Sequence, residues 1–324
     1  MTKLLLATPR GFCAGVVRAI DIVDLAIKHY GTPLYVRKEI VHNQSVVEKF
    51  RSKGVVFVET LDEVPSDQLV IFSAHGVSPE VRKRADERNL KVIDATCPLV
   101  TKVHSEVHKY KKLGFSIALI GHADHDEVEG TLGEAPEVTY LVETVEDVAK
   151  LEVPDPSKIV ALTQTTLSVD ECKEMIQALR NKFPLLTTPS KDDICYATQN
   201  RQDAVKAMAK AGLDLLLVVG SQNSSNSKRL CEVAHTFGIE AYLIDAAQEI
   251  QESWIENKKC IGLTAGASAP EYLVQSVVEF LTARGAVSEE FHFIEEDVSF
   301  SLPPELIQFE KQSQKPLPQA RKNT

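Results

Sequence analysis

Val92-Ile93-Asp94-Ala95-Thr96-Cys97-Pro98-Leu99-Val100 is the stretch on which the fold depends. It predicts a short apolar strand, then a cysteine, then a helix opened by a proline, which favours the first helical turn. Open α/β proteins place their reactive groups at such strand-to-helix junctions. The segments 4–13 and 192–195 also end in a cysteine, and helical patterns follow them. The sequence therefore predicts three helices with a cysteine at the N-terminus of each: Cys13, Cys97 and Cys195.

Strand-like and helical runs alternate along the chain, which is typical of a mostly parallel sheet covered by helices. A first polar loop follows each cysteine at a nearly constant distance of 29, 28 and 29 residues, at His42, His125 and Ser224. A second polar loop follows at 62, 68 and 73 residues, at His75, Thr165 and Ser268. This repeat predicts an α/β fold of three similar modules around a pseudo-threefold axis, with the cysteines and polar loops facing one cavity.

The predicted domain boundaries follow from the repeat. The first module is expected over residues 14–96, the second over 97–194, and the third over 195–283 together with residues 1–13. The third module shows no final strand of its own after the helix over 271–283, and we expect the N-terminal strand Leu4–Thr8 to supply it. Residues 284–324 form a C-terminal extension, and its Gln-, Lys- and Pro-rich end from Lys311 is predicted to be disordered.

The composition excludes some classes of protein. A formal net charge of −10 over 324 residues argues against nucleic-acid binding, which needs a basic face. Apolar runs are shorter than the roughly 20 residues that span a bilayer, so we expect a cytoplasmic protein without a membrane segment. Six cysteines in such a chain should be reduced thiols, metal ligands or catalysts.

The three cysteines at helix starts point to a metal centre. Three converging thiolates suit an iron–sulfur cluster or zinc, and three ligands leave one position open for a substrate. Their separation in the sequence lacks the compact spacing of specific metal motifs, so three unrelated core cysteines remain an alternative. The other three cysteines, Cys172, Cys231 and Cys260, are interpreted as packing residues.

The polar loops favour an anion site. His42, His75 and His125 occupy corresponding loops after strands, whereas His29, His104 and His108 fall within helical runs and are interpreted as structural. A second group of hydroxyls and an amide is typical of a phosphate site at a helix N-terminus, although such residues also serve as ordinary caps: Ser224, Ser225, Asn226 and Ser268. The sequence has no Walker loop and no Gly-x-Gly-x-x-Gly, so nucleotide binding has no support.

Glu127 is a candidate proton donor. Burial beside an apolar substrate would raise its pKa and suit it to general acid catalysis. Thr165 could hydrogen-bond a substrate hydroxyl or relay the proton. An acidic cap on the helix that runs toward Gly130 explains Glu127 equally well from the sequence.

At these residues the sequence resembles the 4-hydroxy-3-methylbut-2-enyl diphosphate reductases. The resemblance covers residues 4–282 and is carried by P-R-G-F-C-A-G-V (9–16), V-H-N (41–43), F-S-A-H-G-V-S (72–78), D-A-T-C-P-L-V-T-K-V-H (94–104), G-H-x-x-H-x-E-V-E-G-T (121–131), T-Q-T-T-L-S-V-D (163–170), K-D-D-I-C-Y-A-T-x-N-R-Q (191–202), G-S-x-N-S-S-N-S (220–227) and T-A-G-A-S-A-P (264–270).

The resemblance implies a trefoil of three modules around one [4Fe–4S] cluster held by Cys13, Cys97 and Cys195. The fourth iron would bind the hydroxyl of (E)-4-hydroxy-3-methylbut-2-enyl diphosphate. The implied diphosphate ligands are His42, His75, His125, Ser224, Ser225, Asn226 and Ser268. Glu127 would be the proton source, with Thr165 near the substrate hydroxyl.

The implied reaction removes that hydroxyl as water with two electrons and two protons. It yields isopentenyl and dimethylallyl diphosphate, the last step of the methylerythritol phosphate route to isoprenoids. A ferredoxin or flavodoxin is the expected electron donor. The chain departs from the family pattern at Asp124 and Asp126, which would weaken diphosphate binding unless they point outward.

Two other readings of the cysteines remain open. A zinc hydrolase would use three thiolates and a water molecule, and would be colourless. An iron–sulfur redox sensor would need the cluster but not Glu127 or the Ser-Ser-Asn loop.

Overall fold

The computed structural model describes residues 2–190 and 193–313. Helices and strands alternate along the chain, and every pairing between the named strands is parallel. The strands form three separate sheets. Within the described ranges no helix is both long and apolar enough to cross a membrane.

The first sheet has the order β3-β2-β4-β5. Its strands are β2 (Leu34–Arg37), β3 (Val55–Val58), β4 (Leu69–Phe72) and β5 (Lys91–Asp94). Its helices are α1 (Ala14–Tyr30), α2 (Gln44–Ser52) and α3 (Pro79–Glu87).

The second sheet has the order β7-β6-β8. Its strands are β6 (Ser116–Ile120), β7 (Thr139–Val142) and β8 (Ile159–Thr163). The helices around it are α4 (Pro98–Lys112), α5 (Asp126–Glu134), α6 (Val145–Lys150) and α7 (Val169–Lys182). A single parallel bridge joins Val160 of β8 to Thr187.

The third sheet has the order β10-β9-β11-β1-β12. Its strands are β1 (Thr2–Thr8), β9 (Leu215–Val219), β10 (Glu240–Ile244), β11 (Cys260–Ala265) and β12 (Ala286–His292). Its helices are α8 (Tyr196–Lys210), α9 (Ser225–Thr236), α10 (Glu252–Ile255) and α11 (Glu271–Thr282), and α12 (Pro304–Ser313) comes last.

The three sheets share one topology. In each, the first strand of the module lies in the centre, the second strand pairs on one side, and the third pairs on the other. The next place beside the third strand belongs to the segment that leads into a cysteine: β5 before Cys97, Thr187 before Cys195, and β1 before Cys13. The repeat expected from the spacing is therefore present in the strand order.

The burial of the central strands explains why the alternation of strands and helices can be predicted from the sequence. Strands β6, β8 and β9 are buried at every residue because helices cover both faces of their sheets. Such strands appear as continuous apolar runs rather than as alternating patterns.

The N-terminal strand pairs with the third module as expected, since β1 lies beside β11 with Leu4 opposite Ile261. The expectation that no strand follows the helix over 271–283 is wrong. Strand β12 comes directly after α11 and pairs with the other side of β1. The module boundaries themselves stay a prediction.

The C-terminal extension is more ordered than expected. After β12 the chain crosses to the first module, where Leu306 of α12 is fully buried in the core formed by α1 and the first sheet. Residues 311–313, which were expected to be disordered, belong to α12. The rest of that prediction, for residues 314–324, lies outside the described residues.

Candidate active site

The N-termini of α1, α4 and α8 converge from the three modules. Cys13, Cys97 and Cys195 are the N-cap residues of these helices, as the sequence predicts. The Cys195 thiol accepts a hydrogen bond from the backbone N–H of Thr198 at 3.4 Å, so it caps α8 directly. The backbone N–H of Ala14 donates to the Tyr196 hydroxyl at 3.2 Å and ties the start of α1 to the start of α8.

The convergence forms one cavity of about 110 Å³. All of the residues that the sequence predicts as site residues line it: Cys13, His42, His75, Cys97, His125, Glu127, Thr165, Cys195, Ser224, Ser225, Asn226 and Ser268. The three cysteines interpreted as packing residues do not line it. Cys172 and Cys231 are buried in the cores of the second and third modules, and Cys260 begins β11.

Gly15 lets two of the thiols approach each other. A Cβ atom at this position would lie 2.8 Å from Cys97 Sγ and 3.8 Å from Cys13 Sγ. Any larger residue would therefore occupy the space between helices α1 and α4 where the sulfurs meet.

The three sulfurs are spaced more widely than the ligands of a single zinc ion. Within the described residues, the side chains whose ligand atoms all lie within 4.8 Å of one another are His42, His75 and Asp126, and the three thiols do not form such a group. A tetrahedral zinc ion with bonds of about 2.3 Å would hold its sulfurs about 3.8 Å apart. The wider spacing leaves room between the sulfurs for a group larger than one metal ion.

Two of the thiols keep their protons until a metal displaces them. Burial raises the pKa of Cys97 to about 12 and that of Cys195 to about 11, so both are neutral thiols at pH 7 when no cation is near. Metal binding replaces these protons, and the positive end of each helix favours the resulting thiolate.

Three histidines form a cluster that lines the same cavity. The rings of His42 and His75 stack with centroids 3.9 Å apart, and His125 stands edge-on to both at 5.3 and 5.8 Å. Burial lowers the pKa of His125 to about 3 and that of His75 well below its ordinary value. Both are therefore neutral at pH 7 before an anion binds.

The histidines are fixed by neighbours in three loops. His125 is the N-cap of α5, and its Nδ1 accepts a hydrogen bond from the backbone N–H of Glu127 at 3.1 Å. The His42 Nδ1 lies 3.3 Å from a carboxylate oxygen of Glu39. The Ser268 hydroxyl donates to the carbonyl of His42 at 2.8 Å, which joins the first and third modules.

The two unusual aspartates differ in position. Asp124 is exposed and lines an outer cleft next to the cavity. Asp126 is half-buried, with a carboxylate oxygen 3.9 Å from His75 Nδ1 and the other 3.7 Å from Lys38 Nζ. Because Lys38 already offsets this carboxylate, we assign no metal ion to His42, His75 and Asp126.

The Ser-Ser-Asn loop lies at the N-terminus of α9. Ser224 is the N-cap, and its hydroxyl accepts a hydrogen bond from the backbone N–H of Ser227 at 3.3 Å. The Asn226 amide donates to Thr198 at 3.1 Å and accepts from the backbone N–H of Ala267 at 3.0 Å. The loop is thus held between α8 and the loop that carries Ser268, with the positive end of a helix at the cavity.

Glu127 and Thr165 form a buried pair. The backbone N–H and the hydroxyl of Thr165 donate to the two carboxylate oxygens of Glu127 at 2.7 and 2.9 Å. Burial outweighs these hydrogen bonds and raises the pKa of Glu127 to about 7. Glu127 is in the first turn of α5, where an acidic residue that only caps the helix would also lie. It is buried, however, and lines the cavity.

The C-terminal extension forms part of the cavity wall, which the sequence does not predict. Phe300 lines the cavity together with the three cysteines. The segment is held by the fully buried Arg201, which pairs with Glu296 at 2.9 Å, and by Arg18, which donates to the carbonyl of Ser301 at 2.8 Å. The partners of Arg201 and Arg18 lie 95 and 283 residues away in the sequence, so no local pattern indicates these contacts.

The fold and the cavity define a class of protein, an α/β enzyme whose three modules surround a thiol-lined pocket with a buried acid and a histidine cluster. The model of the LytB protein family matches residues 4–282. The chain is 56% identical over 322 residues to the 4-hydroxy-3-methylbut-2-enyl diphosphate reductase of Nitrosomonas europaea, with 96% of this chain and 99% of that protein covered. It is 58% identical over 302 residues to the enzyme of the same name from Bordetella pertussis, with 93% of each covered.

Solved structures agree with these matches. The reductase of Plasmodium falciparum superposes with a TM-score of 0.94 at 41% identity and covers 97% of this chain and 99% of its own. A structure of (E)-4-hydroxy-3-methyl-but-2-enyl diphosphate reductase gives a TM-score of 0.62 at 31% identity, with 87% of this chain and 100% of the other covered.

The chain belongs to the LytB family, the 4-hydroxy-3-methylbut-2-enyl diphosphate reductases. The predicted trefoil of three α/β modules is confirmed by these structures. The family consists of iron–sulfur oxidoreductases that act on a small diphosphate substrate.

Proposed function

We propose that this protein reduces (E)-4-hydroxy-3-methylbut-2-enyl diphosphate to isopentenyl and dimethylallyl diphosphate, the last step of non-mevalonate isoprenoid precursor synthesis. The observation that carries the proposal is that every residue assigned to the cluster, the diphosphate or the proton lines the same cavity. The substrate hydroxyl leaves as water, and a hydrogen is added at one end or the other of the allyl unit, which gives the two products, so each turnover uses two electrons and two protons.

Cys13, Cys97 and Cys195 would hold one [4Fe–4S] cluster, with one iron left without a protein ligand. The thiol spacing and the N-cap positions support this set of ligands. When bound, the cluster supplies the two electrons and a Lewis-acidic position for the substrate hydroxyl.

The protein binds the diphosphate with Ser224, Ser225, Asn226 and Ser268 around the N-terminus of α9, and with the three histidines. Neutral His75 and His125 can each donate one ring N–H, and the diphosphate charge favours uptake of a further proton by either ring. These interactions orient the alcohol end of the substrate toward the thiols.

Glu127 delivers the proton. With a pKa near 7 it holds a proton in a large fraction of molecules at neutral pH, and it can give that proton up without a large cost. Thr165 donates hydrogen bonds to both carboxylate oxygens, so it stabilises the carboxylate that remains and keeps it aimed at the cavity.

The electrons require an external donor, since no dinucleotide-binding motif occurs in the sequence. A ferredoxin or flavodoxin is the donor we propose. A cytoplasmic location accords with cysteines that must stay reduced to bind a cluster.

Anaerobically purified protein tests the proposal. We expect a brown protein that converts the substrate to the two isoprenoid diphosphates with a chemical reductant, and whose reduced EPR signal changes when substrate is added. A colourless protein after iron–sulfur reconstitution would overturn the cluster and favour zinc. A brown protein whose spectrum and turnover ignore the substrate would favour a redox sensor.

A further inference from the structure

A chain of ionisable side chains runs from the surface toward Glu127. His108 lies on α4 with its side chain 56% exposed, and its Nε2 is 2.7 Å from Glu134 Oε2. The other oxygen of Glu134 is 2.8 Å from His104 Nδ1, and both of these side chains are only 7% exposed. The three residues therefore connect solvent to the interior between α4 and α5.

Two glycines bring the inner end of this chain close to the site. A Cβ at Gly76, the residue after His75, would lie 3.0 Å from His104 Cε1. A Cβ at Gly130 would lie 3.4 Å from the Gly76 backbone. Gly130 is one helical turn after Glu127 on α5, so the Gly76 backbone packs against α5 beside Glu127 and also against His104 of α4.

One ring nitrogen of His104 is available for a further hydrogen bond. His104 Nε2 is buried and has no hydrogen-bond partner among the described residues, whereas Nδ1 is held by Glu134. Burial raises the pKa of Glu127, and a charge on His104 acts in the opposite direction. Glu134 follows Glu127 by seven residues, about two turns of α5, so both carboxylates lie on the helix face that His104 contacts.

The proposed reaction creates a need for such a path. Each turnover takes up two protons, but Glu127 carries only one and is buried with both oxygens bonded to Thr165. A replacement proton must therefore reach it from solvent while the substrate fills the cavity.

We propose that His108, Glu134 and His104 form the path that reloads Glu127 with a proton. This inference rests on the proposed function. His108 takes a proton from solvent and gives it to the Glu134 carboxylate, whose acid form passes it to Nδ1 of His104. The ring then carries a proton on each nitrogen and releases the one on Nε2, through one bridging water molecule, to the Glu127 carboxylate. Rotation of the His104 ring brings the remaining proton back to the Nε2 position for the next transfer. His104 acts on the substrate only through Glu127.

The test uses His104→Gln, which keeps most of the side-chain volume but cannot relay a proton. Positioned proton transfer contributes about 10²-fold or more, so we expect kcat to fall at least tenfold, with an unchanged KM and a larger solvent deuterium isotope effect. His108→Gln should show a smaller loss because water can replace an exposed group. His235→Gln, at an exposed histidine on α9, is the matched control and should retain native kinetics.

Chemical rescue separates proton supply from packing. In His104→Ala, added imidazole should restore part of kcat, whereas pyrazole, which has the same shape but is a much weaker base, should not. Equal rescue by both compounds, or a native kcat in His104→Gln, would overturn the path. Iron content and thermal unfolding of each variant show whether it has folded.

Failure of the path and failure of the proposed function are distinguishable. If Glu127→Gln is inactive while His104→Gln is native, only the path is wrong. If Glu127→Gln is itself fully active, the proposed acid is wrong and the path has no purpose.

Discussion

The Glu127 carboxyl lies between α5 and the loop after β8, where burial rather than a neighbouring charge sets its pKa. Glu127→Gln keeps the shape of the side chain but cannot give up a proton. We expect kcat to fall about 10²-fold or more while substrate still binds. Turnover assays and titration of the substrate-dependent EPR change measure the two effects. Near-native turnover would exclude Glu127 as the proton source.

The same carboxyl predicts a pH dependence. Glu127 is protonated below its pKa of about 7 and ionised above it, so kcat should fall about tenfold per pH unit on the alkaline side. The folded state binds this proton more tightly than the unfolded chain, so its contribution to stability is lost as pH rises toward 7. Glu127→Gln should lack both trends. A kcat that stays constant well above pH 7 would contradict the assignment.

The sequence predicts the place of a site residue well when that residue belongs to a loop motif. It predicts the place poorly when the residue is positioned by contacts with distant parts of the chain. The glutamate loop and the Ser-Ser-Asn loop follow strands directly, so their place at the sheet edge was predictable. Phe300 lies at the cavity in a segment that is held by the pair of Arg201 with Glu296 and by the hydrogen bond of Arg18 to Ser301. Such contacts depend on the packing of whole modules.

At the scale of helices, three N-termini meet at one point, and α1 must approach α4 closely for the thiols to meet. Gly15→Ala tests this approach. Alanine stabilises a helix interior by about 1 kcal/mol relative to glycine, but its Cβ would lie 2.8 Å from Cys97 Sγ. We expect normal helix content with a several-fold loss of bound iron, measured per protein after reconstitution.

Val17→Ala, at an exposed position of the same helix, is the control for Gly15→Ala and should bind iron normally. Full iron loading of Gly15→Ala would show that the two helices can separate without harm to the centre.

Strand β12 shows why one element was missed. Its residues are mostly exposed, and its acidic side chains are bound by Lys3 and Arg10 rather than by a core. An edge strand with no buried face lacks the apolar run that revealed β6 and β9. The sequence therefore predicts the central strands of this fold but not the edge strand β12.

On the scale of the whole molecule, the C-terminal extension joins the third module to the first. Leu306 is the buried anchor of this connection, and Leu306→Ala should cost about 2–4 kcal/mol of unfolding free energy. Because Phe300 precedes this anchor, we also expect faster loss of cluster absorbance in air. Denaturant unfolding and bleaching rates measure the two effects.

Leu185→Ala makes the same change at a side chain that is 66% exposed, and should alter neither quantity. If Leu306→Ala unfolds at a lower denaturant concentration but bleaches at the native rate, the extension stabilises the fold without shielding the cavity.

The pairing of β1 with β11 and β12 has a consequence for biosynthesis. Residues 2–8 leave the ribosome more than 250 residues before their strand partners, residues 260–265 and 286–292. Cys13 follows β1 directly, so it cannot join the other two thiols until those late strands have emerged. Contacts between such distant segments also form slowly. Delivery of iron and sulfide by a carrier protein is therefore expected only after these strands have emerged, because a shorter nascent chain offers only separate thiols.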